Sequence, residues 1–402
     1  MTFALHTGDC IKVMRTLPNS SFGSVVTDPP YELGFMGKAW DSTGVGFRPG
    51  FRAEALRVAK PGAYLLAFGG SRTSHRLTCA IEDAGWEIRD TIMWIYGSGF
   101  PKSRNGAWGG TGLKPAHEPI VVARKPLVGT VAKNFAAFGT GGLNIDASRV
   151  GWPDGIAPEI GTPGWGGPSK MLSAAPGQVG ETVERSAPSH LGRWPANVIH
   201  DGSDEVMDAF PAAPGQMANA SSSSRKTQSV YGAMKRGRGT EASADSENDG
   251  VTGFKMKPGD RRLDSGSAAR FFYCAKASTK DREAGLDGFE KSDGGMVSEN
   301  SGQHITRRDG YKAPLRANTH PTVKPTELMR YLCQLVTPAG GKILDLFVGS
   351  GSTGRGAALG GFDFEGIDND TNHIAIARAR IAHAARLYDS RRQQGIDLRD
   401  IA

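Results

Sequence analysis

The chain has 402 residues, enough for one large domain or two, yet 55 of them are glycine and only 38% are hydrophobic, which points to long irregular segments beside a packed core. A formal charge of +7 permits a polyanionic partner. No apolar run approaches the roughly 18–20 residues needed to cross a bilayer, and Met1-Thr2-Phe3-Ala4-Leu5-His6 lacks the basic and long apolar regions of a secretory signal. Cys10, Cys79, Cys274 and Cys333 form no Cys-x-x-Cys pair, and His75, His117, His200 and His320 show no metal-ligand spacing. The expectation is a soluble protein of a reducing cytoplasm, with no metal, no disulfide framework and no membrane partner.

In chain order, Ile11 to Leu17 predicts a helix, with Ile11, Met14 and Leu17 on one face. The apolar run Ser24-Val25-Val26-Thr27 predicts a short buried strand that ends in Asp28-Pro29-Pro30-Tyr31. Pro30 has no amide hydrogen, and each proline biases its predecessor away from helical geometry, so this turn is stiff. Ligands of open α/β sheets sit at the carboxyl ends of strands. A turn placed there presents the Asp28 carboxylate, the Pro29 carbonyl and the Tyr31 ring to one planar substrate. Two acceptors suit an exocyclic amino group, and the ring suits the face of a base. The plainer alternative is a proline-rich loop around a buried tyrosine.

A glycine- and aromatic-rich loop follows from Glu32 to Gly50 and includes Phe35 to Asp41. Then come a helix from about Phe51 to Ala59, stopped by Lys60-Pro61-Gly62, a strand over Ala63–Phe68, a helix over Arg76–Ala84 and a strand region over Trp86–Tyr96. This alternation is that of βαβ units and predicts a mainly parallel sheet. Glu118 to Arg124 reads as one more strand. After Lys125-Pro126 the alternation stops. Asn197-Val198-Ile199 and Arg270 to Ala275 are small apolar islands, and Ala218 to Asp260 is a polar tract expected to be mobile in the free protein. Its basic clusters, Arg225-Lys226 and Lys235 to Arg238, are either solvated or contact phosphates. Regular structure returns at His320: a helix over Pro325–Val336, a strand over Lys342–Phe347, a helix over Ser352–Leu359, a strand over Phe362–Ile367 and a helix from Asn372 to about Tyr388.

Between the strand at Lys342 and the helix at Ser352 lies Phe347-Val348-Gly349-Ser350-Gly351, with Asp368 at the end of the next strand, about 20 residues on. Glycines there let backbone approach a ligand, and the acidic residue can hold ribose hydroxyls. The pattern stops at Gly-x-Gly with no third glycine, and no P-loop lysine is present, which weighs against a dinucleotide or a triphosphate. Asp345, just before the glycine turn, suits a cationic group. A small nucleoside with a positively charged amino-acid tail fits this pattern, and S-adenosylmethionine is such a molecule. A plain tight turn is the bland alternative.

Asp28-Pro29-Pro30-Tyr31 together with Asp345-Leu346-Phe347-Val348-Gly349-Ser350-Gly351-Ser352-Thr353-Gly354 resembles the DNA amino-methyltransferases, in the permuted β-class order with the catalytic motif first. Gly8-Asp9-Cys10 and His320-Pro321-Thr322-Val323-Lys324-Pro325 extend the likeness, and Gly97 to Lys125 resembles phage and prophage methylases. The resemblance implies an α/β, Rossmann-like S-adenosylmethionine-dependent methyltransferase sheet, mostly parallel and doubly wound, with a large irregular insert. It implies methylation of the exocyclic amine of a flipped base in double-stranded DNA, adenine N6 before cytosine N4, with Asp28, Pro29, Pro30 and Tyr31 catalytic. Asp9 falls near the cofactor's adenine, and Asp345, Phe347, Gly349, Ser350 and Gly351 surround its methionine and sugar. Asp368 falls on the ribose, and Lys324 and Pro325 flank the cofactor. Asp9 also reads as a helix cap, and Lys324 as a solvated charge. The expected organisation is a catalytic half over 1–125, an insert for target recognition over 126–311, a cofactor half over 312–388 and a polar tail over 389–402, with room for a homodimer. Competing readings are a non-catalytic DNA-binding protein of the same fold, or a methylase of RNA or of a protein glutamine; the related glutamine motif begins with Asn, which Asp28 is not.

Overall fold

The computed structural model describes residues 1–34, 41, 43–99, 106–152, 155, 189–212, 224–225, 241–242, 267–275, 279–293 and 315–395. The chain forms two compact units, one of Met1–Ser148, Pro195–Val206 and Phe272–Ala402, the other of Arg149–Trp194 and Met207–Phe271. Most of the polar tract, residues 35–40 and the cluster at Lys235 lie outside the described residues, so the expectations placed on them are not addressed by the structure. In the second unit Arg193 and Val150 pair through their main chains, and the Arg193 guanidinium lies 4.6 Å from the Trp152 ring centroid. Among the described residues no helix is long and apolar enough to cross a membrane.

The strands are β1 (Phe3–Thr7), β2 (Phe22–Thr27), β3 (Ala59–Phe68), β4 (Glu87–Ile95), β5 (His117–Arg124), β6 (Val198–His200), β7 (Ser224–Arg225), β8 (Glu241–Ala242), β9 (Tyr273–Cys274), β10 (Ser292–Asp293), β11 (Leu315–Arg316), β12 (Lys342–Asp345) and β13 (Asp363–Asp368). The helices used below are α1 (Cys10–Met14), α2 (Pro49–Val58), α3 (Ser74–Asp83), α4 (Val131–Phe138), α5 (Asp204–Ala209), α6 (Thr279–Glu283), α7 (Thr326–Val336), α8 (Ser352–Leu359) and α9 (Thr371–Gln393). Nine strands form one sheet in the order β1-β13-β12-β2-β3-β5-β4-β6-β9. The two ends of the chain therefore complete one sheet, because β12 pairs with β2 and β13 with β1, both in parallel.

Alternation along each strand divides the core. Val26, Leu66, Phe68, Ile120, Val122 and Ile343 face one side, where they meet α7, α8 and α9. Val25, Leu65, Ala67, Val121, Ala123 and Leu344 face the other, where they meet α1, α2 and α3. Both faces are covered, which is why β2 reads as a continuous apolar run with every residue buried. This is the doubly wound α/β arrangement expected from the sequence. The main departures lie around β5. It runs antiparallel to both β3 and β4, so the sheet is mixed there. Two apolar islands of the middle segment, as β6 and β9, extend the same sheet beyond β4. The insert expected over 126–311 thus lends α4, α6 and the strands β6, β9 and β10 to the first unit. At the other end α9 runs five residues past Tyr388, into the stretch read as tail.

One packing detail tests the arrangement. Gly356 sits inside α8, where alanine has the better helix propensity by about 1 kcal/mol. A Cβ at this position would lie 2.5 Å from the Arg330 amide nitrogen and 2.7 Å from the Met329 carbonyl carbon on α7. These are backbone atoms of a fully packed helix and cannot move aside alone, so overpacking wins over propensity. Gly356→Ala is expected to lower the unfolding free energy by about 1–3 kcal/mol, read from urea titrations followed by circular dichroism. A variant as stable as the parent would show that α7 and α8 are not this close.

Candidate active site

In a parallel sheet every strand delivers its last residue to the same edge. Asp9 follows β1, Asp28 follows β2, Asp345 ends β12 and Asp368 ends β13, so four carboxylates far apart in sequence meet at one rim. The antiparallel β5 brings its first residues there instead: Ile120 pairs with Phe68 at the end of β3, which sets Glu118 just beyond it. All five line one cavity of about 700 Å³, within the size range of small-molecule sites.

At the Asp28 end of the cavity, Asp28 Oδ2 lies 3.0 Å from Lys324 Nζ. That nitrogen also lies 2.9 Å from Glu118 Oε2 and donates to Tyr31 Oη at 3.0 Å. Tyr31 Oη in turn donates to Glu118 Oε2 at 3.0 Å. Asp28 Oδ1 is buried with no hydrogen-bond partner among the described residues, and so is Trp94 Nε1, whose residue lines the same cavity. Burial is the main cause that pushes the Asp28 carboxyl above the ordinary range; Lys324 pulls it down, and the Glu118 charge pushes it up again. Burial disfavours the Lys324 ammonium, but Asp28 and Glu118 outweigh it, so Lys324 stays charged with its pKa raised. Burial, then Asp28 and Glu118, hold the Tyr31 hydroxyl well above its usual value, hence protonated. The turn is braced from behind: Thr73 Oγ1 donates to the Tyr31 carbonyl at 2.8 Å, and the Asp41 carboxylate accepts from the Glu32 and Leu33 amides.

At the other end, Gly349 stands at φ +49° and donates its amide to Asp368 Oδ2 at 2.9 Å. Asp368 Oδ1 accepts the Asp370 amide at 2.9 Å. Burial opposes the Asp368 charge, yet the His373 ring and these amides hold its pKa below the usual carboxylate range. Asp345 accepts from Thr27 Oγ1 at 2.8 Å and from the Phe347 amide at 3.1 Å; burial nevertheless pushes it up to about 6. His320 packs over Gly349, and its Nδ1 accepts the Thr322 amide, which assigns the proton to Nε2. Burial first, then the neighbouring His373, lower His320 to about 3, so it is neutral.

Of the sequence-predicted residues, Asp9, Asp28, Pro29, Pro30, Tyr31, Lys324, Asp345, Phe347, Gly349, Ser350 and Asp368 line the cavity. Asp9 also caps α1 by accepting the Lys12 amide at 3.0 Å, so the expected cap is present and is compatible with its place in the lining. Pro325 and Gly351 are not among the lining residues. A Cβ on Gly351 would meet Ala377 Cα at 2.9 Å, so this glycine serves the contact with α9. Lys324, expected beside the cofactor, stands on the Asp28 cluster. Sequence reasoning missed Glu118, His320, Trp94 and Arg282 as lining residues. Glu118 carried a signal, a Glu-Pro pair near the start of a strand, but only with the strand's direction known does that place it at the site.

Residues 23–144 and 216–379, more than half of the chain, match the family model described as DNA methylase. Among curated relatives, the type II methyltransferase M2.DpnII of Streptococcus pneumoniae is 45% identical over 65 residues, 16% of this chain and 24% of that protein. The type II methyltransferase M.HpaI of Haemophilus parainfluenzae is 28% identical over 126 residues, 29% of this chain and 37% of that one. The matched part is thus well under half the length of these relatives. Among solved structures, the cytosine-N4-specific PvuII DNA methyltransferase covers 100% of this chain and 96% of its own at 12% identity, with a TM-score of 0.44. Both flanks of the middle segment, the Asp28 turn and the Gly349 loop fall within the matched family model, and the chain belongs to the N6/N4 family of DNA methylases.

Proposed function

We propose that the protein transfers a methyl group from S-adenosylmethionine to the exocyclic amine of a base flipped out of double-stranded DNA, with adenine N6 as the preferred target. The observation that carries this reading is Asp28 Oδ1, a buried acceptor without a partner among the described residues, in the cavity that also contains the Gly349 loop. Such a group is costly unless a donor arrives, and an amine is a donor. Trp94 Nε1 is a buried donor without a partner among the described residues, beside the same cavity. One acceptor and one donor match a base edge on which an amino group neighbours a ring nitrogen, as in adenine and cytosine. The preference for adenine rests on the resemblance, since within the family Asp rather than Ser at the head of the motif favours adenine, with overlap from cytosine-N4 enzymes.

The cofactor fits the residues present. Asp345 and Asp368 supply carboxylates for an ammonium group and ribose hydroxyls, and the bare Gly349 lets backbone approach. Bound there, S-adenosylmethionine supplies an electrophilic methyl carried on a sulfonium. The amine's lone pair is delocalised into the ring, so it is a poor nucleophile until its hydrogens are held. Asp28 and the Pro29 carbonyl, each taking one hydrogen, pyramidalise the nitrogen and stabilise charge that develops only in the transition state. With both carboxylates ionised, Asp28 and Glu118 outnumber the Lys324 ammonium by one negative charge, which complements a sulfonium. Tyr31 offers a stacking face for the flipped base, and residues 126–311 carry target recognition in this reading.

The test is mass spectrometry of nucleosides from host DNA after expression of the chain. N6-methyladenine is the expected product. N4-methylcytosine would keep the mechanism and move the target, and unmodified DNA beside folded, cofactor-bound protein would overturn the reading.

A further inference from the structure

We infer that Lys324 and Glu118 are positioning residues for Asp28, which clamp its carboxylate in one orientation and reserve a single oxygen, Oδ1, for the substrate amine. The inference rests on the reading of this site as one of amine methylation.

An ammonium has three hydrogens, and Lys324 has three acceptors: Asp28 Oδ2 at 3.0 Å, Glu118 Oε2 at 2.9 Å and Tyr31 Oη at 3.0 Å. Tyr31 spends its own hydrogen on Glu118. Every polar hydrogen of the cluster is therefore used, and Lys324, 7% exposed, has no donor left with which to turn elsewhere. Within this set one buried oxygen, Asp28 Oδ1, is without a partner among the described residues. Lys324 by itself would form a neutral pair with Asp28 and weaken it as an acceptor. Glu118 offsets that, because with both carboxylates ionised the three groups keep one negative charge facing a nitrogen that gains positive charge as it is methylated. The cluster also spans the chain. Asp28 and Tyr31 come from the turn after β2, Glu118 from the start of β5, and Lys324 from the extended segment before α7, whose His320 lies over Gly349. The remaining titratable groups that act on this cluster are Tyr96 from the end of β4 and Asp345 from β12.

A lysine that merely satisfies buried charge and one that tunes Asp28 differ in a measurable way. The full-length protein is compared with Glu118→Gln and Lys324→Met in two assays. The first follows the Asp28 carboxyl by carbon-13 NMR of aspartate-labelled protein without cofactor or DNA, assigned by the signal lost in Asp28→Asn. The second follows methyl transfer from labelled S-adenosylmethionine to substrate DNA across pH. Removal of the Glu118 charge removes a repulsion, so Asp28 ionises at lower pH and the acid limb of the rate profile moves down. Removal of Lys324 takes away its attraction, so both move up, and turnover falls by about a hundredfold through misplacement of the acceptor with less change in KM for the cofactor. Glu118→Gln is isosteric and is the variant expected to fold without difficulty. An Asp28 titration and an acid limb that coincide with those of the parent in Glu118→Gln would overturn the inference. Absence of methyl transfer by the parent would overturn the proposed function instead, and the NMR titration would still decide between clamp and filler.

Discussion

Asp28→Ala is expected to lower methyl transfer by roughly two to three orders of magnitude, the loss that follows removal of one pre-placed partner of developing charge, while S-adenosylmethionine binds almost as it does to the parent. The separation follows from geometry. Asp28 stands in the cluster of Tyr31, Glu118 and Lys324, whereas the Gly349 loop is held by Asp368, to which Asp28 makes no hydrogen bond. An interaction made mainly in the transition state lowers turnover and leaves ground-state affinity in place. This variant is expected to fold. Lys324 keeps Glu118 and Tyr31 as partners, and the substitution removes a buried oxygen that had no partner among the described residues. Its thermal midpoint is therefore expected at or above that of the parent. Turnover above about a tenth of the parent rate, measured with labelled cofactor on substrate DNA, would remove Asp28 from the catalytic role.

Gly349→Val is expected to weaken S-adenosylmethionine binding by about a hundredfold or more, a cost near 2.7 kcal/mol, measured by calorimetry. Two causes combine. The residue sits at φ +49°, a left-handed conformation that a β-branched residue adopts only with strain. Its Cβ would also lie 2.7 Å from His320 Nε2. Sequence reasoning expects a valine to intrude on the ligand directly; in the structure its Cβ would first meet the His320 ring, so the ring or the loop that Asp368 holds has to shift. A companion variant separates the causes. In a His320→Ala background Gly349→Ala keeps the backbone strain but loses the collision, and affinity should recover in part. Unchanged affinity in Gly349→Val would show that the cofactor binds elsewhere.

The turn at Asp28 and the loop at Gly349 were legible because each follows a strand whose apolar run and whose position in a βαβ alternation can be read locally. Parallel strands send their carboxyl ends to one edge, so two motifs far apart in sequence meet without further information. What lay on that edge by the opposite route was not legible. Glu118 lies near the start of a strand whose direction the sequence left open; the antiparallel pairing of β5 with β3 and β4 puts its first residues, not its last, at the site. Tyr31 shows the practical consequence. From the sequence its ring is the functional part, and Tyr31→Phe reads as mild; in the folded protein its hydroxyl joins Glu118 to Lys324.

By itself the sequence determined the fold class, the family motifs and the permuted order in which they occur, because hydrophobic period, strand length and glycine placement are local properties of the chain. Only the tertiary structure decided which partners the motif residues keep. Lys324 and Tyr31 are 293 positions apart, and no local pattern records that they touch. It also decided that Gly351 serves the packing of α9 rather than the cavity wall, and that the short islands at β6 and β9 are sheet strands. Two or three residues are too few to show a period, and pairing with a neighbour already in place supplies the hydrogen bonds that make them strands.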